Sequence, residues 1–264
     1  MSDSPQHSFA VLAYRESPYI EECIQSLKNQ SVQSEIFIST STPSPYLEGI
    51  ARKHGLPLLV NRESGGIASD WNFAYKSCTS PYLTLAHQDD VYEPRYTERC
   101  LRMARLYPRN LITFTDYNEI YGGRLRTKSP LILAKKAILL FFYLFKPSLK
   151  TRFFKKAMLS PGCAVTCWSV MYNKKNIGDF EFSKDFHINL DWDAWYRLSL
   201  LEGDFLFVNE KLTMHRIHPG SQTSAGIDDG RRRMEDEIMF ARLWIRPLDA
   251  LIARVYALSY RSNR

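Results

Sequence analysis

Three short strings bring together residues able to do chemistry. Residues 85–94 read LAHQDDVYEP, an apolar run closing on His87, Gln88 and the adjacent carboxylates Asp89 and Asp90. At a strand end leading into a turn, two neighbouring aspartates can converge their oxygens on a hard cation, Mg²⁺ or Mn²⁺, that keeps positions open for phosphate. The same pair could instead cap the helix beginning near Pro94 or close an Asx-turn. Residues 190–195, LDWDAW, set Asp191 and Asp193 around Trp192 at a helix start, where free N–H groups and the dipole favour carboxylates. The chemical alternative makes one of them a general base beside a substrate hydroxyl, in a cleft walled by Trp192 or Trp195. Residues 215–224, HRIHPGSQTS, alternate on a strand, so Arg216 and His218 share one face. With Gly220, Ser221 and Thr223 behind them they suit an anion-binding corner, or else an ordinary polar edge strand.

The elements that must position these residues follow from pattern. FAVLAY (9–14), EIFIST (35–40), LPLLVN (56–61) and YLTLAH (82–87) read as buried strands. Between them lie helical stretches: one capped by Ser17 with Pro18 in its first turn, one opened by Ser44-Pro45 and closed by Gly55, and one over 67–78. That alternation predicts an α/β sheet built from right-handed crossovers, which binds ligands at the C-terminal ends of its strands. Asp89 and Asp90 lie at such an end. Further on, 111–121, 163–172, 204–210 and 211–218 read as strands, and 190–203 as a helix ended by Gly203. A long helical tail runs from about Arg231 to Tyr260.

Composition narrows the function classes. The N-terminus lacks the basic flank and apolar core of a signal peptide, and the five cysteines form no CxxC pair. A cytoplasmic protein with buried, reduced thiols is expected. The net charge of +7 is concentrated: residues 120–178 hold twelve lysines and arginines and no carboxylate, so the remainder is net acidic. Such a stretch suits an anionic partner. Its basic residues interleave with aliphatic ones rather than stacking aromatics, which disfavours a nucleic-acid partner. The nine-residue run AILLFFYLF (137–145) is too short to span a bilayer, which takes about 20 residues. No GxGxxG follows the first strand, which disfavours an NAD-binding enzyme.

Taken in order over about 8–224, these segments resemble the bacterial family 2 glycosyltransferases of GT-A fold. The strings that carry the resemblance are FAVLAYRESPYIEECIQSLKNQS, NRESGGIASDWNFAYKSCTSPYLTLAHQDDVYEP, LDWDAWYRL and HRIHPGSQTS. The resemblance implies a mixed, mostly parallel sheet flanked by helices over 1–224, followed by a helical extension over 225–264. It implies an inverting transfer from a nucleotide-sugar donor to a glycan or lipid-linked acceptor in surface polysaccharide synthesis, with Mg²⁺ or Mn²⁺ as cofactor. Asp191 matches the base, and Asp89 the last carboxylate of the DxD motif, with Asp90 beside it. Ala13, Tyr14, Ser39, Thr40, Ser41, Gly66, Asp70, Asn72, His87, Gln88, Arg216 and His218 match the donor side. Trp192 and Asp193 fall at the acceptor cleft.

Three single positions and one six-residue run depart from the family pattern. His87 replaces the first DxD aspartate, STSTPS (39–44) replaces an acidic run that reads the nucleobase, Trp71 replaces an arginine and Tyr14 a polar residue. The alternative these departures raise is a catalytically impaired GT-A module that binds or scaffolds. The basic, apolar insertion over 131–159 is expected either to lie on the inner face of the membrane or to pack on the core or a second copy of the chain.

Overall fold

Alternate residues of the first strand point to opposite sides of a sheet, and each side has its own core. In the computed structural model, which describes residues 5–63, 65–218 and 230–257, β1 (His7–Ala13) sends Phe9 and Val11 to one face and Ala10 and Leu12 to the other. On the first face pack α1 (Ile20–Lys28), α2 (Pro45–His54) and α4 (Tyr96–Leu106). The second face is covered by α3 (Gly66–Ser77), α5 (Pro130–Tyr143), α6 (Arg152–Leu159), α8 (Leu190–Ser199) and α9 (Arg231–Leu243).

Between these layers β2 (Glu35–Thr40), β3 (Leu58–Val60) and β4 (Tyr82–His87) run parallel to β1 in the order β3-β2-β1-β4. The sheet continues through β9 (Val170–Asn173), which runs antiparallel, then β6 (Asn110–Tyr121) and β10 (Asp204–Ile217), and ends at β5 (Val91–Tyr92). Short β7 (Arg124–Arg126) and β8 (Ser148–Leu149) pair with β6 and β10, and α7 (Lys174–Ile177) follows β9. This is the expected mixed, mostly parallel sheet.

Several boundaries differ from expectation for local reasons. Ser17 accepts the Tyr19 N–H and closes a turn, so α1 begins only at Ile20. The expected strands 204–210 and 211–218 are one strand, β10, whose register against β6 slips on either side of Lys211. Residues 163–169 are not a strand but lead through a 3₁₀ turn, Cys167–Ser169, into β9. α8 stops at Ser199. Gly203 serves the approach to β10 instead, with φ of 130° and the Arg109 carbonyl where a Cβ would sit. The tail is two helices, α9 and α10 (Leu248–Ala257), separated at Pro247. Both pack inward, through Phe240 on Trp192 and on Tyr256. The tail beyond 257 lies outside the described residues, as does the expected boundary at 224/225.

His7 opens β1 fully buried, with Nδ1 2.8 Å from Ser34 Oγ and Nε2 3.0 Å from Thr84 Oγ1. Burial pushes its pKa down to about 3, so the folded chain holds a neutral imidazole where the unfolded chain takes up a proton below about 6.5. The contribution is therefore complete above pH 6.5 and is lost as pH falls toward 3. Urea melts should show about 2 kcal/mol lost between pH 7 and pH 5, a slope that His7→Gln should flatten.

Candidate functional site

Register places the donor-side residues on neighbouring strand ends. Ala13 pairs with Thr40 across β1 and β2, and Leu12 lies between Ser39 and His87 of β4. Gln88 ties two of these ends together, accepting the Tyr14 N–H at 3.2 Å and donating to the Tyr14 carbonyl at 3.0 Å. Just beyond β2, Ser41 Oγ donates to Asp70 Oδ2 at 2.7 Å, and Asn61 Nδ2 donates to Asp70 Oδ1 at 2.9 Å. The loop that lacks its own acid thus receives one from α3.

Asp89 and Asp90 follow β4 and take different surroundings. Asp90 is fully buried; its Oδ1 accepts the Arg216 N–H and lies 3.0 Å from His215 Nδ1. Its Oδ2 is buried with no hydrogen-bond partner among the described residues and lies 3.9 Å from His87 Nδ1. Asp89 Oδ2 lies 2.8 Å from His218 Nε2. Burial works against the Asp89 charge, but the imidazoles of His87, His218 and His215 outweigh it and hold the carboxyl below its ordinary range. Burial likewise opposes a charged His215, and the Asp90 carboxylate overrides it, raising that pKa. His215 also stacks on Trp168 with ring centroids 3.8 Å apart.

This donor set fits a divalent cation. Ligand atoms of His87, Asp89 and Asp90 all lie within 4.8 Å of one another, and the bare Asp90 Oδ2 is a buried acceptor awaiting a positive partner. His87 Nε2 is 3.6 Å from Cys167 Sγ, which leaves Nδ1 facing Asp90.

Arg216 is engaged within the chain. Its Nε donates to the Asp89 carbonyl at 3.0 Å, a terminal nitrogen pairs with Glu22 at 2.6 Å, and the guanidinium lies over the Tyr19 ring. It braces the aspartate turn from below. Asn72 is turned away as well: its amide exchanges two hydrogen bonds with the Phe182 backbone, so it anchors α3 to the chain before α8. Gly66 starts α3 exposed at φ of 68°. Gly220, Ser221 and Thr223 lie outside the described residues.

Asp191 stands half-buried at the first turn of α8, with Oδ1 accepting the Trp192 N–H at 2.7 Å and Oδ2 3.8 Å from the Cys163 thiol. Burial pushes its carboxyl above the usual range, against the pull of Lys135, the Trp192 N–H, Arg232 and His87. After burial, the charges of Asp191 and Asp90 both raise the Cys167 pKa. Burial first, and these charges after it, keep the Cys163 and Cys167 thiols protonated. Neither cysteine is an activated nucleophile.

The expected acceptor-cleft pair faces inward. Trp192 is fully buried, donating to the Leu159 carbonyl, and Asp193 is 1% exposed, paired with Arg197 at 2.8 Å and with Arg242 of α9. Both residues fasten α8 to its neighbours. Trp168 and Lys135 are site residues that no motif string contains, while Tyr19 and Glu22 lie inside the first string without being marked by it.

Residues 8–174 match the model of Glycosyl transferase family 2. The chain belongs to that family. An uncharacterized glycosyltransferase of Rickettsia prowazekii is 24% identical over 238 residues, 85% of this chain and 68% of that one. Among solved structures, Pyrobaculum calidifontis mannosyltransferase PcManGT with GDP-Man and Mn²⁺ superposes with TM-score 0.66 at 13% identity, over 99% of this chain and 72% of that one. S. aureus TarS 1–349 with UDP gives TM-score 0.62 at 14% identity, over 97% and 71%. The chain spans only 39% of the longer TarS structure. The protein is thus a family 2 glycosyltransferase with the GT-A fold.

Proposed function

We propose that this glycosyltransferase moves a sugar from a nucleotide-sugar donor to a glycan or lipid-linked acceptor, with inversion, in cell-surface polysaccharide synthesis on the cytoplasmic side. What supports this is the His87, Asp89 and Asp90 donor set, whose ligand atoms lie within 4.8 Å of one another, together with the half-buried Asp191 at the start of α8, on whose charge His87 acts. Neighbouring folds bind UDP or GDP-Man, which supports a nucleotide-sugar donor here. Ala13, Tyr14, Ser39, Thr40, Ser41 and Gln88 line the donor side, and Asp70 with Ser41 reads the base edge.

In this reading the Asp191 carboxylate takes the proton of an acceptor hydroxyl. The freed oxygen forms a bond to the anomeric carbon from the face opposite the diphosphate, whose C–O bond breaks and whose oxygen leaves with the electron pair. Asp89 and Asp90, with His87, would hold a divalent cation, which when bound would supply positive charge to a diphosphate. Arg216 and His218 keep Asp89 in place from the far side. The domain spans 1–224, with the C-terminal helices bracing α8 through Arg242 and Asp193.

An imidazole in the donor set favours Mn²⁺ over Mg²⁺, because nitrogen ligands suit later transition ions and Mg²⁺ prefers oxygen. His87→Asp should narrow that preference about tenfold, read from Mn²⁺ and Mg²⁺ titrations followed by tryptophan fluorescence, since Trp71 and Trp168 flank the ring. The function itself is tested with UDP-, GDP- and dTDP-sugars plus Mn²⁺, scored by thermal stabilisation and nucleotide release. One donor should do both, and silence from the whole panel would sink the reading.

A further inference from the structure

Helix α5 is apolar on both sides. Its inner side sets Ile132, Leu139 and Tyr143 into the core, and its outer side exposes Leu133, Leu140 and Phe141. Beyond its end Phe145 is 91% exposed, and α6 adds Phe153 and Phe154 at 73% and 52%. A helix with apolar residues on both sides belongs where both are covered, in a core or at a lipid boundary, and among the described residues only one side of α5 meets protein. Lys146, Lys150 and Arg152 stand exposed among these rings, and no carboxylate occurs from 120 to 178.

We propose that α5, the 144–150 turn and α6 dock on an anionic lipid bilayer. The phenylalanines enter the boundary between headgroups and acyl chains, while the three cations lie on the headgroups. Charge selects this occupant over a second copy of the chain. A two-fold contact would press Lys146, Lys150 and Arg152 against their own copies, with no carboxylate in the stretch to neutralise them. Lys155 shows the contrast: it is buried, donating to the Leu201 and Gly203 carbonyls, and so pins the inner side of α6 while Phe153 and Phe154 face out.

The same helix leads to the site. In its first half Lys136 pairs with Asp116 and Asn209, and Lys135 lies over the Tyr117 ring and acts on the Asp191 charge. With 14 residues α5 is about 21 Å long, so one helix carries both the docking face and Lys135. Delivery of a lipid-anchored acceptor to Asp191 rests on the transfer reading; the docking does not.

The test is flotation of the full chain with equimolar phosphatidylglycerol–phosphatidylcholine vesicles and with phosphatidylcholine alone, without donor or acceptor. Binding is expected only to the anionic vesicles, weakening as salt rises. Phe141→Ser with Phe145→Ser, and separately Lys146→Glu with Lys150→Glu, should each lower it at least tenfold while circular dichroism and melting temperature stay unchanged. Equal binding to both vesicle types, no binding at low salt, or a dimer in sedimentation that Phe145→Ser dissolves would each overturn the proposal. No binding to vesicles with capture of an acidic protein would overturn it too.

Discussion

Replacing Asp191 by asparagine is expected to lower turnover by about a thousandfold, the scale of a lost general base, with nucleotide affinity and melting temperature unchanged. The amide keeps an oxygen for the Trp192 N–H and the same volume beside Cys163, so the first turn of α8 has no reason to move. What disappears is the lone pair that accepts the acceptor proton. The pH profile gives a second readout. Burial raises the Asp191 pKa above the ordinary aspartate value, and a base works only when ionised, so turnover in the wild type should fall with a single-proton limb as pH drops through that raised value. The residual activity of the variant should lack this limb. Asp193→Asn is the control, because it lies two residues away and does a different job. It leaves the partly exposed Arg197 and Arg242 guanidiniums facing a buried neutral amide, which should cost about 1–2 kcal/mol of stability while the folded fraction turns over normally. If Asp193→Asn abolished turnover at unchanged stability and Asp191→Asn did not, the base would be misassigned.

The difference between these two aspartates shows where the sequence could and could not be read. That Asp89 and Asp90 close a strand, and that the strand ends form one rim, follows from apolar runs separated by cap residues, because burial on both faces of a parallel sheet leaves that pattern. The partner of a polar side chain leaves no such period. Arg216 and His218 matched the donor side by motif, yet Arg216 spends its guanidinium on the Asp89 carbonyl and on Glu22, a residue of α1 far away in the chain. Asn72 matched a nucleotide contact and instead holds Phe182. Asp193 and Trp192 read equally well as a helix start or a cleft wall, and only the arrival of Arg242 and Phe240 from α9 separates the two. The two strands fused into β10 fail differently: polar Asn209 and Glu210 look like a turn, but β6 continues alongside and absorbs them in a bulge. Trp168, stacked on His215, sits in a 3₁₀ turn inside a stretch whose apolar run reads as strand throughout.

Asp90→Asn is expected to weaken Mn²⁺ about a hundredfold, measured by fluorescence titration with a nucleoside diphosphate present, and to reduce turnover at least as much. In the wild type, Asp90 Oδ1 is occupied by the Arg216 N–H and by His215, whereas Oδ2 faces His87 without a hydrogen bond in a fully buried position. A carboxylate oxygen left bare at that depth costs more than any exposed one, and a cation shared with Asp89 and His87 removes that cost. The asparagine keeps the oxygen that holds Arg216 and puts an amide nitrogen where the cation's ligand stood. His215 reports the same change independently. Burial lowers its pKa and Asp90 overrides that burial, so the neutral amide should bring the His215 titration, followed by NMR without metal, down from its raised value. A variant whose His215 shifts but whose Mn²⁺ affinity holds would leave Asp90 as a brace for the HRIH strand. In that case the bare oxygen would need only His87 as its partner, and the cation would belong to Asp89 alone.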